Sequence, residues 1–438
     1  MSSSTKQIAR EIFHRTLSSI DIPDVMERKL QLDHSYVTLS GAAIDIANIS
    51  RFVVIAIGKA SHAMTEGLTR LFPPNADCTG VVAAPTNPAK TVPGLQYFAC
   101  GHPIPNEDSL RAAQAILQIL ASCDSRTLVF FLLSGGGSAL VELPLDPSLT
   151  LTDVQAIHRT LVTCGAPIDA MNTVRRHLSA VKGGRLALAA PHSPKVTLAV
   201  TDVPFGKEAA LASGPTLPDP TTLSDVLRIF SEHDLPKRFP ASLQTWLAAS
   251  HMPETPKADH PAFANSHFEL LLGLDDLFHA AHHAVEAHGY LCFCDNSTDD
   301  WPVQKAAENL LAQLEAWQCE NPGQRVALVA DGEVSSPVTG NGIGGRNSAF
   351  VLACVEKIAG KKITVLSAGS DGIDGNSPAA GAVADGNTLE RAESAGLDPQ
   401  ASFRDSDAYT FFAKLDDAII TGPTGNNLRD LRILLADP

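Results

Sequence analysis

The chain has 438 residues, a net charge of −15, 44% hydrophobic residues and 18% charged ones. That length supports two or three domains with sizeable cores, and the composition excludes a disordered chain. The acidic balance, with no Lys/Arg run, argues against a nucleic-acid surface, so any anion site must gather its cations locally.

The opening stretch, MSSSTKQIAREIF, carries charges in its first turns and no apolar core. No signal peptide is expected, and the cytoplasm is the expected location. No apolar run approaches the ~20 residues that span a bilayer, so no membrane partner is expected. In chain order, helices are expected over 6–18, 59–71, 109–121, 151–163, 222–233, 275–288, 303–319 and 348–358. Strands are expected over 52–57, 79–83, 128–133, 195–200, 290–294, 325–330, 362–366 and 417–420. Near-continuous apolar strands separated by amphipathic helices predict parallel sheet covered on both faces. The weakest stretch is 236–267, so the boundary is expected near residue 250, giving domains 1–250 and 251–438. None of the eight cysteines forms a C-x-x-C pair; Cys292 and Cys294 share one face of an apolar run and read as core thiols.

Four loops carry chemistry. In FVVIAIGKASHAM a strand ends, Gly58 turns and Lys59 opens a helix. In open α/β sheets ligands bind beyond the carboxyl ends of strands, where an ammonium favours an anion. In TLVFFLLSGGGSALVELP a strand runs into Ser134, Gly135, Gly136, Gly137 and Ser138. Three glycines let backbone N–H groups approach phosphate or carboxylate, and the serines add hydroxyls. In VTLAVTDVPFG, Asp202 follows a strand end. There it suits holding magnesium, accepting a hydroxyl proton, or capping a turn. In TGNGIGGRNSAF, Gly340, Gly342 and Gly345 spell G-x-G-x-x-G, but the polar segment before them is no strand, as a dinucleotide site requires. The better reading is a flexible loop presenting Arg346, which grips phosphate through paired N–H groups.

Two later loops follow strands. Asp371 and Asp374 suit magnesium or ribose hydroxyls, and equally the capping of turns. Thr421, Thr424 and Asn426 offer polar groups. Arg175, Arg176 and Lys182 in MNTVRRHLSAVKGGRLA form a basic stretch that either faces a crevice or is solvated. His279 and His283 read as an exposed helix face rather than a metal pair.

Taken in order, IGKASHAM, GHPIPNEDSLRAAQAIL, LLSGGGSALVELPL, MNTVRRHLSAVKGGRLA, TDVPFG with ASGPTLPDPTT, GIGGRN, AGSDGIDG and ITGPTGNNLRDL resemble the glycerate 2-kinase family over nearly the whole chain. Older names for its members include hydroxypyruvate reductase. The resemblance implies two unlike α/β domains: a Rossmann-like parallel-sheet N-terminal domain and a smaller mixed-sheet C-terminal domain, with a cleft between them. The latter includes the MOFRL region, about 325–435. It implies ATP and Mg2+, with glycerate as acceptor, and matches the family's lysine, aspartate and arginine to Lys59, Asp202 and Arg346. Asn172, Arg175, Gly344 and Gly345 join the Ser134–Ser138 loop as expected binding residues, and Asp371 and Asp374 as expected metal ligands. A reductase using NAD(P)H and a kinase for a related sugar acid are the alternatives. A monomer or homodimer is expected.

Overall fold

The computed structural model describes residues 4–438 except 202, 204, 205, 250, 251 and 427. The chain divides into two compact units, one of them Ile22–Leu271. The other joins the N-terminal helix Thr5–Ser19 to the chain from Leu272 onward. The boundary expected near residue 250 therefore falls inside the first unit. Its last strand, Ser266–Leu272, lies beyond the polar stretch and completes the first sheet.

That first sheet runs Leu95–Ala99, Cys78–Ala84, Arg51–Ile57, Thr127–Ser134, Lys195–Val200, Ser266–Leu272 across its width. The first five strands pair parallel throughout. Numbered in chain order, the strands lie 3-2-1-4-5-6, the doubly wound arrangement that binds ligands where the order reverses. RFVVIAI and TLVFFLLS occupy the centre because burial on both faces demands unbroken apolar content. Every residue of Thr127–Ser134 is buried, as is all of Arg51–Ile57 except its first residue. The point of reversal falls between these two strands, so their loops, Gly58–Lys59 and Gly135–Ser138, emerge side by side.

The second unit holds a mixed sheet, in the order Leu291–Cys294, Val326–Asp331, Asp430–Ala436, Ile363–Gly369, Gly381–Asp385, Ala418–Ile419. Only the first pair is parallel. Asp430–Ala436 is wholly buried at the centre. Helices Val303–Glu320 and Arg346–Cys354 cover one face through Leu310, Leu314, Phe350 and Val351. No helix among the described residues is long and apolar enough to cross a membrane.

Candidate active site

The two central loops of the first unit are locked together. The Lys59 amide donates to the Gly135 carbonyl at 2.9 Å, and the Ala60 amide donates to the Ser134 hydroxyl at 3.0 Å. Gly58 has φ +134°, and a Cβ there would sit 2.6 Å from the Ser134 carbonyl oxygen. Glycine is required because the two turns approach within backbone contact. Ser134 is fully buried at this junction, so it joins the loops instead of meeting a ligand. Lys59 is exposed, Gly135, Gly136 and Ser138 are half-buried, and Gly137 is buried against Ala212.

His102 forms the rim. A Cβ on Gly136 would lie 3.0 Å from its Cδ2 and 3.5 Å from Lys59 Cγ, so ring and lysine stem flank the glycine loop together. Desolvation, then the charge of Lys59, lowers the His102 pKa below the ordinary histidine value, which keeps the ring neutral at neutral pH.

A polar relay leads away from Ser138. Its hydroxyl lies 2.8 Å from that of Ser213, which donates to Asn172 Oδ1 at 3.5 Å. Arg175 Nη1 donates to the same oxygen at 3.1 Å. Arg175 Nε is buried without a hydrogen-bond partner among the described residues, and burial lowers the pKa of this guanidinium. Ala212 and Ser213 hold φ of +50° and +61°. Such left-handed residues cost about 1–3 kcal/mol each and persist where the surroundings enforce them. Here the strain aims the Ser213 hydroxyl at Ser138 and Asn172.

Beneath the relay lies a buried ion cluster. Glu142 accepts from Lys182 Nζ at 2.7 Å, from the Ser179 hydroxyl at 2.5 Å and from its neighbour's amide, Leu143 N, at 2.9 Å. His158 Nε2 lies 3.1 Å from the same carboxylate. Burial alone would raise the Glu142 pKa, but Lys182 and His158 overcome that and hold it at about 2. Lys182 therefore serves the scaffold and does not face a crevice. Arg176 likewise pairs with buried Asp219, Nε to Oδ1 2.9 Å. Of the basic stretch, only Arg175 reaches the relay.

Asp202 lies outside the described residues.

In the second unit, Arg346 opens its helix as expected, but it is not a bare cation. Nη1 donates to Glu333 Oε2 at 2.8 Å and Nη2 lies 2.7 Å from Oε1. Nε donates to Asp430. Burial would lower the Arg346 pKa; Asp430 and Glu333 together raise it instead. Arg429 Nη1 donates to Asp299 Oδ2 at 2.9 Å. Fully buried Arg432 donates to the carbonyls of Asp331 and Gly332 at 3.1 and 2.8 Å.

The glycines before Arg346 are pinned, not free to swing. The Gly342 amide donates to the Asp405 carbonyl at 2.9 Å, Ile343 N to Asp407 Oδ1 at 2.9 Å and Gly344 N to Asn376 Oδ1 at 2.9 Å. A Cβ on Gly345 would stand 2.3 Å from Asp374 Oδ1. Gly344 and Gly345 thus permit packing on the 374–376 turn and are not themselves a phosphate cradle. Asp374 corrects a second expectation. Its two oxygens accept from Asn347 N, Ser348 N and the Ser348 hydroxyl at 2.9, 2.9 and 2.5 Å, so this buried carboxylate caps the helix and has no room for a metal. Asp371 Oδ1 accepts from Ile373 N at 3.0 Å in an Asx turn. Thr424 and Asn426 brace their loop, on the Ser370 and Ile20 carbonyls at 2.5 and 2.8 Å.

Two family models match. The one described as Domain of unknown function (DUF4147) matches residues 8–248, and the MOFRL family matches residues 326–430. The chain is 30% identical to D-glycerate 2-kinase of Thermotoga maritima, over 88% of this chain and 91% of that one. This chain belongs to the glycerate 2-kinase family. Glycerate 2-kinase of Pyrococcus horikoshii is 31% identical over 87% of this chain and 86% of its own. A relative from Agrobacterium vitis that carries the name hydroxypyruvate reductase is 36% identical, over 88% and 87%. The crystal structure of glycerate kinase from Thermotoga maritima superposes with a TM-score of 0.85 at 28% identity, covering 99% of each chain.

Sequence reasoning missed His102, Glu333 and Asp430, and placed Ser213 only among general loop donors. The left-handed run Ala212–Gly214 carried one readable cue, the Ser-Gly-Pro turn that ends it. Glu333 and Asp430 lie 13 and 84 residues from Arg346, and nothing local announces either pairing.

Proposed function

We propose that this protein transfers the γ-phosphoryl group of ATP to the 2-hydroxyl of D-glycerate, forming 2-phospho-D-glycerate and ADP and releasing the hydroxyl proton. The observation that carries this reading is the meeting of the Lys59 turn and the Gly135–Gly137 loop where the first sheet reverses its order. Glycine backbone accommodates phosphate oxygens there, and the Lys59 ammonium supplies charge. Phosphoryl transfer asks chiefly for positioning and charge neutralisation.

Ser138, Ser213, Asn172 and Arg175 form the polar wall that orients glycerate, whose carboxylate needs a cationic donor such as Arg175. Asp202 is the proposed acceptor of the hydroxyl proton. Arg346 is the second proposed cation, and acting on phosphate requires it to exchange part of its grip on Glu333 or Asp430. Mg2+ bound together with the nucleotide would supply neutralisation of the charge on its phosphate oxygens. Asp371, just past the end of a strand of the second sheet, is the proposed residue to hold it.

The first strand-to-helix turn of the sheet, Ile57-Gly58-Lys59-Ala60-Ser61, has no G-x-G-x-x-G pattern. The one such pattern sits in the pinned loop of the second unit. Nicotinamide binding has no support in either place. An ATP-consumption screen over small hydroxy acids, with the position of the phosphate read by NMR, tests the proposal. D-glycerate should be the preferred acceptor, with phosphate on the 2-oxygen. Phosphate on the 3-oxygen, or hydroxypyruvate-dependent NADH oxidation without ATP turnover, would overturn it.

A further inference from the structure

Cys292 and Cys294 do not lie in a core. They stand on the edge strand Leu291–Cys294, where Cys292 is half-buried and Cys294 exposed. Two residues apart on a strand, they point to the same face. Helix Leu274–Glu286 packs against this strand and brings His282 over them. Nδ1 of His282 lies 3.2 Å from Cys294 Sγ. One ligand atom from each of His282, Cys292 and Cys294 lies within 4.8 Å of the other two. The opposite ring nitrogen, Nε2, lies 3.2 Å from the Glu286 carboxylate, one helical turn on.

We propose that His282, Cys292 and Cys294 form a zinc site that ties the edge strand to its covering helix, separate from the groups proposed for phosphoryl transfer. Two sulfurs and one imidazole nitrogen are the soft and borderline donors that select Zn2+ over Mg2+ or Ca2+. Zinc–sulfur bonds of ~2.3 Å and zinc–nitrogen bonds of ~2.0 Å require donor atoms that converge within a few ångströms, as these three do. The role of Glu286 is the independent support. By accepting the Nε2 proton it leaves the Nδ1 lone pair facing the sulfurs, the carboxylate–histidine arrangement found behind metal-bound imidazoles. A water molecule completes the tetrahedron, because the exposure of Cys294 lets solvent reach the site. On binding, both thiols lose their protons to solvent, two Zn–S bonds and one Zn–N bond form, and no electron is transferred.

The test uses the full-length protein, stripped by a chelator and kept reduced. Addition of Co2+ should produce the near-ultraviolet thiolate-to-cobalt charge-transfer band, and one equivalent of Zn2+ should abolish it. Cys294→Ser and Cys292→Ser should each weaken the band, and the double variant should remove it. Glu286→Gln, at an exposed position that leaves folding intact, should weaken Zn2+ binding by about 10–100-fold. Lack of the band in the natural protein would refute the site. So would its persistence in the double variant Cys292→Ser/Cys294→Ser, or unchanged affinity in Glu286→Gln.

Discussion

The two units set their cations on different frameworks. In the first, Lys59 projects from a turn whose walls are mostly backbone: glycines, hydroxyls and a neutral imidazole. Its charged scaffold, Glu142 with Lys182 and His158, is buried underneath and closed on itself. In the second, the arginines are meshed with carboxylates at the sheet's loop end: Arg346 with Glu333 and Asp430, Arg429 with Asp299. The first unit sets its lysine on a glycine platform at the sheet's point of reversal, whereas in the second a cation held by two carboxylates is also a structural element. The contrast separates chemical roles from structural ones by what each mutation does to turnover and to stability.

The largest effects should therefore come as a contrasting pair. Lys59→Ala should lower kcat by about 100-fold or more, as loss of one charge-stabilising donor does, while its exposed position leaves the melting temperature unchanged. Arg346→Ala should lower kcat on a similar scale and also destabilise the fold by about 2 kcal/mol, because it strands the buried carboxylate of Asp430. That figure falls below the cost for a fully buried pair because Arg346 and Glu333 are partly exposed. Thermal melts run beside steady-state kinetics decide it: equal melting temperatures for the two variants would erase the distinction between the units.

Next comes the scaffold. Glu142→Gln should cost about 3–5 kcal/mol, the range for breaking a buried ion pair, as measured by urea unfolding. Its pH dependence has a defined sign. The folded-state pKa of Glu142, about 2, lies below its ordinary value of 4.5. Its stabilisation is complete above pH 4.5 and is lost as the pH falls toward 2. Natural protein and Glu142→Gln should thus converge in stability across that interval; a constant difference down to pH 2 would contradict the cluster's role. The smallest effect concerns His102. Removing the nearby charge in Lys59→Ala should raise its pKa part of the way toward the ordinary histidine value, since desolvation, the larger cause, remains. Histidine NMR titration reads this shift, and an unchanged titration would separate the ring from the lysine.

Much of the first unit could be read from residues alone. VVIAI and LVFFLL announce buried parallel strands, and the glycines that end them mark where backbone must turn. The helix expected over 151–163 matches Leu151–Thr163, helped by the reciprocal capping of Thr150 and Asp153. What escaped notice depends on distance. The strand Asp430–Ala436, at the centre of the second sheet, followed a Gly/Asn loop and was not expected. The edge strand Ser266–Leu272 was hidden behind Pro- and His-rich text. The attachment of Thr5–Ser19 to the second unit rests on contacts such as the Lys6–Asp417 ion pair, 2.7 Å across 411 residues. Asp374 illustrates the same limit: a Gly-rich loop carboxylate reads as a metal ligand until the helix it caps, 26 residues earlier in the chain, is placed beside it.

The central claim, that the Lys59 turn and glycine loop bind the reacting phosphate, is tested most directly by following the His102 imidazole resonances. The titrant is a non-hydrolysable ATP analogue in the presence of D-glycerate and Mg2+. The account predicts a saturable shift of His102 in the natural protein, lost in Lys59→Ala, while exposed His283 stays still. Ligand saturation that leaves His102 unmoved would place the phosphate elsewhere and contradict the account.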